Sequence, residues 1–243
     1  MIYRARATQT SYGRPIGIIA LEERIPCPPG TPGNPTTFGY PVMYEVVRGV
    51  AAADLRRAPP AGREEFVAAG RRLVERGAWA VAGNCGLMIV HQSALAAALP
   101  VPVLLSSLLQ VPLIARMLAP EAAIGLVVSG AHSLNAEHLR LAQAGSNARL
   151  VVASMEGRPH FTAAVRDESG ELDFEAVTAE VVAVTRELTA RHPDVRALLF
   201  ECVDLPPYAH WVQEAVGLPV FDIITLIDHC RAALARPPYR GVY

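Results

Sequence analysis

Two patterns of apolar residues alternate from one end of the chain to the other. Short, continuous, β-branched runs mark strands buried on both faces, and longer stretches with apolar residues every three or four positions mark helices. Strands are expected at residues 15–21, 78–83, 101–105, 123–128, 150–153, 195–200 and 220–223. Helices are expected at 44–55, 63–76, 87–99, 109–118, 134–144, 174–191, 204–216 and 225–235. Gly77 and Gly145 follow two of these helices, where a left-handed residue closes the last turn. Pro112 and the pair Pro206-Pro207 fall in first turns, where a missing N–H costs little. Residues 1–13 are polar and expected on the surface, and 155–173 is expected as a loop or short hairpin. Residues 22–41 are rich in Pro and Gly and form a long loop at the carboxyl end of the first strand. Strand–helix alternation throughout predicts an α/β fold with parallel sheets covered on both faces.

The alternation also repeats itself. Cys85 and Cys202 each stand where an apolar run stops and a helical pattern begins, 202 − 85 = 117 positions apart. The Pro102-Val103 and Pro219-Val220 pairs that follow them are offset by the same 219 − 102 = 117. Equal offsets at both ends indicate two copies of one strand–Cys–helix–strand unit. We therefore expect two pseudo-symmetric, Rossmann-like lobes, one from residues 14–106 with 217–243 and one from 107–216. An interlobe cleft would lie at the carboxyl ends of their strands.

Composition narrows the partners. The chain has 243 residues, 51% of them hydrophobic, with a net charge of −1. That is ample for a core and offers no basic patch for nucleic acid. Its apolar runs are broken well short of a membrane span. The start, Met1-Ile-Tyr-Arg-Ala-Arg, runs into polar residues and does not read as a signal peptide. The four cysteines, Cys27, Cys85, Cys202 and Cys230, lack zinc-site spacing. A cytoplasmic protein with reduced thiols is the expectation. Dinucleotide fingerprint, Walker loop and Gly-x-Ser-x-Gly elbow are all missing from the sequence.

The candidate chemistry rests on the two thiols. A cysteine at a helix start has free backbone N–H groups and the positive end of the helix dipole beside it, which favour the thiolate. The same groups can hold a substrate carboxylate. Around them, Asn84 and Gly86 flank the first thiol, and Val203 and Asp204 follow the second. Ser129, Gly130 and His132 occupy the loop after the 123–128 strand. Asn34, Thr36 and Thr37 are the polar residues of the long loop expected to reach a ligand. His91, His210 and Cys230 are expected to be structural.

The stretches Gly83-Asn84-Cys85-Gly86-Leu87 and Glu201-Cys202-Val203-Asp204-Leu205-Pro206-Pro207-Tyr208 resemble the two cysteine motifs of the aspartate/glutamate racemase superfamily. The likeness extends from Ile16 to about Leu234. The superfamily also contains hydantoin racemases, maleate isomerases and arylmalonate decarboxylases. The resemblance implies two α/β lobes, often as a homodimer, and no pyridoxal phosphate, metal or other cofactor. It implies that Cys85 and Cys202 are the acid/base pair, one removing a proton from the α-carbon while the other delivers one to the opposite face. The superfamily commonly has Thr after its second cysteine and often Asn next. Here Val203 keeps the N–H without a hydroxyl, and Asp204 is expected to cap the helix. The function expected is a racemase or epimerase of an amino acid or related small-molecule carboxylate. The alternatives are a decarboxylase or cis–trans isomerase on the same fold, and a non-catalytic binding protein.

Overall fold

The computed structural model describes residues 7–57 and 60–241. The expectation for the chain's start falls partly on residues 1–6, outside that range. In chain order the strands and helices are β1 (Ile16–Leu21), β2 (Val42–Val47), α1 (Arg63–Glu75), β3 (Ala80–Gly83), α2 (Gln92–Ala98), β4 (Val103–Leu104), α3 (Val111–Met117) and β5 (Ala123–Val128). They continue with α4 (Ala136–Ala142), β6 (Arg149–Ser154), α5 (Pro159–Phe161), α6 (Phe174–Arg191), β7 (Val195–Phe200), α7 (Ala209–Val216), β8 (Val220–Phe221) and α8 (Ile223–Leu234).

The strands form two sheets of four, ordered β2-β1-β3-β4 and β6-β5-β7-β8, with every pairing parallel. The repeat read from the sequence is therefore a repeat of topology. It holds at the level of register, because Val81 pairs with Val103 as Leu198 pairs with Val220. The first strand of each sheet also carries a glycine under a helix. A Cβ on Gly17 would stand 3.0 Å from the Leu73 side chain of α1, and one on Gly125 would stand 2.7 Å from that of Leu188 in α6. Both β1 and β5 are almost wholly buried.

The segment expected as a helix at 44–55 is instead β2 followed by a 3-10 turn, Ala52–Arg56. Val42-Met43-Tyr44-Glu45-Val46-Val47 is β-branched enough to add an edge strand to β1, and Glu45 is held from above by Arg72 at 2.7 Å and Arg76 at 3.2 Å, both at the end of α1. The helices expected after each cysteine begin as 3-10 turns, Gly86–His91 and Pro206–Tyr208, before α2 and α7. The expected 155–173 loop contains α5 and a π-turn, Thr162–Arg166, which brings Arg166 over Gly130.

Contacts between the two sheets fix the geometry of the cleft. Ser107 donates its hydroxyl to the carbonyl of Phe200 at 2.8 Å, and Gln110 donates its side-chain amide to the carbonyl of Asp222 at 2.8 Å. Helix α8 packs Ile223 and Ile227 against Ile16, Ile18, Ala80 and Ala82 of the first sheet, and the Val203 side chain joins that same cluster. The turn carrying Cys202 is thus anchored in the other half of the molecule.

Candidate active site

The two cysteine turns meet at the carboxyl ends of β3 and β7 and share one cavity of about 450 Å³. Asn84, at the end of β3, donates its backbone N–H to the Ile19 carbonyl and accepts from the Leu21 N–H through its side chain, both at 3.0 Å. It locks the start of the first thiol's turn to the end of β1. Glu201 occupies the matching position after β7 and donates its N–H to the Val127 carbonyl at 2.9 Å. Gly86 lies where the turns touch: a Cβ there would stand 2.2 Å from Glu201 Oε1 and 2.4 Å from the Glu201 carbonyl oxygen. Only a glycine permits this approach.

Of the residues singled out from the sequence, Cys85, Cys202, Asn84, Gly86, Ser129, Gly130, His132, Val203 and Asp204 all line the cavity. Asn34, Thr36 and Thr37 do not. Asn34 donates to the Cys27 carbonyl at 2.8 Å and accepts from the Thr36 N–H at 2.9 Å, while Thr37 donates to the Thr31 carbonyl and accepts from the Gly30 N–H. Their polar groups satisfy the loop's own backbone, as Asn and Thr do in turns. The loop reaches the site elsewhere, through Glu22, Glu23 and Ile25. It is tied to the other sheet where the Arg24 N–H meets Glu168 at 2.9 Å and Gly30 abuts Pro207.

The cavity's charge was not legible in the motifs. Glu22, Glu23, Glu156, Glu168, Glu201 and Asp204 line it against only Arg56 and Arg166 among the described residues. Glu156 accepts from the Ala131 N–H at 2.8 Å and lies 3.8 Å from Arg166, so part of that charge is answered at the rim. At the floor it is not. Burial, then Asp204 and Glu168, push Glu23 up to about 7. Burial, then Asp204, push Glu201 up to about 7 against the pull of Arg56. Burial alone raises Asp204 to about 6.

These carboxylates reverse the expected effect on the thiols. Cys85 is pushed well above an ordinary thiol by burial and then by Glu23 and Glu201, although the Leu87 N–H pulls it down. Cys202 is pushed the same way by burial, Asp204 and Glu201, against the Asp204 N–H. A short 3-10 turn supplies little dipole, and desolvation beside negative charge outweighs it. Burial and the neighbouring carboxylates therefore favour the protonated thiol at both positions. Asp204, expected as a helix cap, has a different partner: its Oδ2 accepts from Cys202 Sγ at 3.4 Å. Among the described residues no group of three or more His, Cys, Asp and Glu side chains is arranged to hold a metal ion, and no helix is long and apolar enough to cross a membrane.

The fold is the one seen in solved glutamate and aspartate racemases. Solved structures of that fold include glutamate racemase from Francisella tularensis bound to D-glutamate (TM-score 0.54, 14% identity, covering 91% of this chain and 81% of that one) and a sulfate-associated variant of arylmalonate decarboxylase (TM-score 0.57, 18% identity, 94% and 97%). Allantoin racemase from Pseudomonas fluorescens is similar (TM-score 0.54, 15% identity, 93% and 100%). At these identities the likeness is one of fold. No protein-family model matches the chain.

Sequence relatives are more specific. Dimethylsulfoniopropionate lyase 7 of Emiliania huxleyi is 30% identical over 237 residues, covering 93% of this chain and 69% of that protein. The dimethylsulfoniopropionate lyase of Durusdinium sp. clade D is 30% identical over 220 residues, covering 88% and 72%. The chain belongs to the dimethylsulfoniopropionate lyase family. It spans 61% of the length of two further relatives, lyases 6 and 3 of Emiliania huxleyi. The expectation of a racemase or epimerase, and with it the isomerase class, is overturned: the superfamily fold was read correctly, but these relatives are lyases. A cavity dominated by carboxylates also suits an anionic amino acid poorly.

Proposed function

We propose that this protein is a lyase that cleaves a β-sulfonio carboxylate, of which dimethylsulfoniopropionate is the type, by β-elimination. The observation that carries the reading is the pairing of two thiols with an excess of carboxylates in one cavity. A substrate bearing a fixed positive charge answers that excess, and an α-proton beside its own carboxylate gives a thiol something to remove.

The reaction balances without a cofactor. A base takes a proton from the carbon next to the carboxylate. The C–H electron pair becomes the new C=C bond, and the C–S bond breaks with its electrons going to sulfur. Neutral dimethyl sulfide leaves, acrylate remains, and one proton stays on the enzyme. A racemase needs a second group to return a proton on the opposite face; elimination does not. One thiol therefore suffices as the base.

We assign the base to Cys202, because its proton has a receiver. Asp204 accepts from its sulfur at 3.4 Å, so the proton has a path to a carboxylate. Without a substrate charge that transfer is uphill, since burial and its carboxylate neighbours hold the thiol well above an ordinary one while Asp204 is at about 6. A bound sulfonium changes the balance. The transfer moves one negative charge from Asp204 to Cys202, so a sulfonium seated nearer the sulfur favours the thiolate by its attraction to the sulfur, about 4 kcal/mol for a unit charge at about 4 Å and an effective dielectric near 20, less its weaker attraction to the Asp204 carboxylate. The substrate thus activates its own base, and the thiol stays protonated and unreactive without it. Cys85 forms the facing wall, and Arg56 and Arg166 are the cationic side chains available to the substrate carboxylate. Purified protein given dimethylsulfoniopropionate should release dimethyl sulfide and acrylate one to one, with C202A and D204N lowering the rate. Failure of the wild type to release either would overturn the reading.

A further inference from the structure

Glu201 is the residue that breaks the symmetry of the two repeats. It and Asn84 make the same backbone bond after the third strand of their sheets, to Val127 and Ile19 respectively. The Asn84 side chain then finds a protein partner in the Leu21 N–H. The Glu201 side chain has no hydrogen bond or ion pair among the described residues, is only 2% exposed, and lines the cavity. A buried carboxylate without a partner is costly to keep ionised. Nothing in the packing of β7 requires it, since an apolar residue would end the strand as well. Gly86 is held bare against it, so the shape of the facing turn is fitted to this carboxylate. It stands between the turns that carry Cys85 and Cys202.

We propose that Glu201 is the seat of the substrate's onium charge, and that the site selects methylated onium carboxylates by charge and not by shape. The ligand class is a short carboxylate ending in a tertiary sulfonium or quaternary ammonium group. Such a cation is large, weakly hydrated and without N–H donors. It suits a buried carboxylate without a hydrogen-bond partner better than a pocket built to donate or accept several hydrogen bonds. Glu23, on the loop after β1, also lines the cavity, and it and Glu201 both act on Cys85. The inference rests on the proposed lyase reading and adds a consequence. The sulfonium loses its charge as the C–S bond breaks, so an ion pair with Glu201 is strongest in the ground state. Interactions of that kind act on substrate binding and contribute little to the chemical step. E201Q should therefore raise KM for dimethylsulfoniopropionate far more than it lowers kcat.

The test uses two ligands of matched shape, 3-(trimethylammonio)propanoate and its hydrocarbon isostere 4,4-dimethylpentanoate, titrated calorimetrically into the full chain. The wild type should bind the cation at least about 30-fold tighter, as expected for an ion pair at a desolvated site. E201Q should bring the two affinities together while leaving that of the hydrocarbon unchanged, which also reports that the variant is folded. E201D, which keeps the charge, should keep most of the preference. Equal affinities in the wild type, no binding of either ligand, or an undiminished preference in E201Q would each overturn the assignment. A reading that needs no variant is the side-chain carboxyl signal of Glu201 in 13C-glutamate-labelled wild type. It should move on adding the ammonium compound and not the hydrocarbon; an unmoved signal overturns the assignment. If the wild type shows this selectivity but never releases dimethyl sulfide, the lyase reading falls and the cation seat stands. If it releases dimethyl sulfide and E201Q keeps the preference, the reverse holds.

Discussion

Replacing Gly86 with alanine tests whether the two cysteine turns form one unit. The added Cβ would lie 2.2 Å from Glu201 Oε1 and 2.4 Å from the Glu201 carbonyl oxygen. An ordinary carbon contact lies at about 3.5 Å, so the turns must separate by roughly 1 Å. A side-chain swing relieves only the first clash, because the second is with backbone at the end of β7. Overpacking of this kind costs about 1–3 kcal/mol. In a chain of this size each 1 kcal/mol lowers Tm by about 2–4 °C, so differential scanning calorimetry should report a fall of roughly 2–12 °C. A displacement of 1 Å between reacting groups costs on the order of 100-fold in rate, and dimethyl sulfide release should fall by at least that. Gly39 is the control: it has ordinary φ and nothing within 4 Å of a built Cβ. G39A should leave both readouts unchanged. If G86A melts and turns over like the wild type, the cysteine turns are not in the contact described and the site geometry is wrong.

Three further outcomes follow from the same residues. D204N removes the acceptor of the Cys202 proton and should lower kcat by about 10²–10⁴-fold, with Tm close to wild type; an unchanged kcat would remove Asp204 from the reaction. The pH dependence of stability has a definite sign. Burial raises Glu201 from 4.5 to about 7, so the folded state holds its proton more tightly than the unfolded state does. The stabilisation is complete below pH 4.5 and lost as pH rises through 7, amounting to at most about 3 kcal/mol for this group. Urea unfolding should show the wild type losing stability between pH 5 and 8 and E201Q losing less; parallel curves would contradict the burial of Glu201. Finally, N34A removes the bonds to the Cys27 carbonyl and from the Thr36 N–H within the 22–41 loop and should cost about 1–3 kcal/mol. Faster amide hydrogen exchange at residues 27–37 would report it, and unaltered exchange there would show that Asn34 does not hold the loop.

How much of this was legible in the sequence differs from element to element. Residues 174–191 and 195–200 were read to the residue, because one has an unbroken helical period and the other an unbroken apolar run. Residues 44–55 were misread, since a six-residue run is ambiguous between strand and helix until its neighbours are known. The two thiols were legible only because the chain contains its fold twice, so that Cys85 and Cys202 indexed each other. The reaction was not legible. Paired thiols serve proton exchange and elimination alike, and the cavity's charge decides between substrates. That charge comes from residues in unrelated stretches: Glu23 at the start of the long loop, Glu168 after a π-turn and Glu201 at a strand end. Glu201 was in plain view beside Cys202, yet a charged residue closing an apolar strand reads as the start of solvent. Its burial depends on Gly86, 201 − 86 = 115 residues away. The acidity of the thiols was misjudged for the same reason, because local helix starts were visible and distant carboxylates were not.

Dimethylsulfoniopropionate carrying two deuteriums on the carbon next to its carboxylate tests the central claim most directly. Elimination removes one of them together with the sulfur. Proton NMR of the products should show acrylate with one deuterium at that carbon, formed with a primary isotope effect, and unreacted substrate that keeps both labels. C202A should form none of it. A protein that washes deuterium out of the substrate while leaving the sulfonium attached, or that forms labelled acrylate equally well without Cys202, would contradict the account.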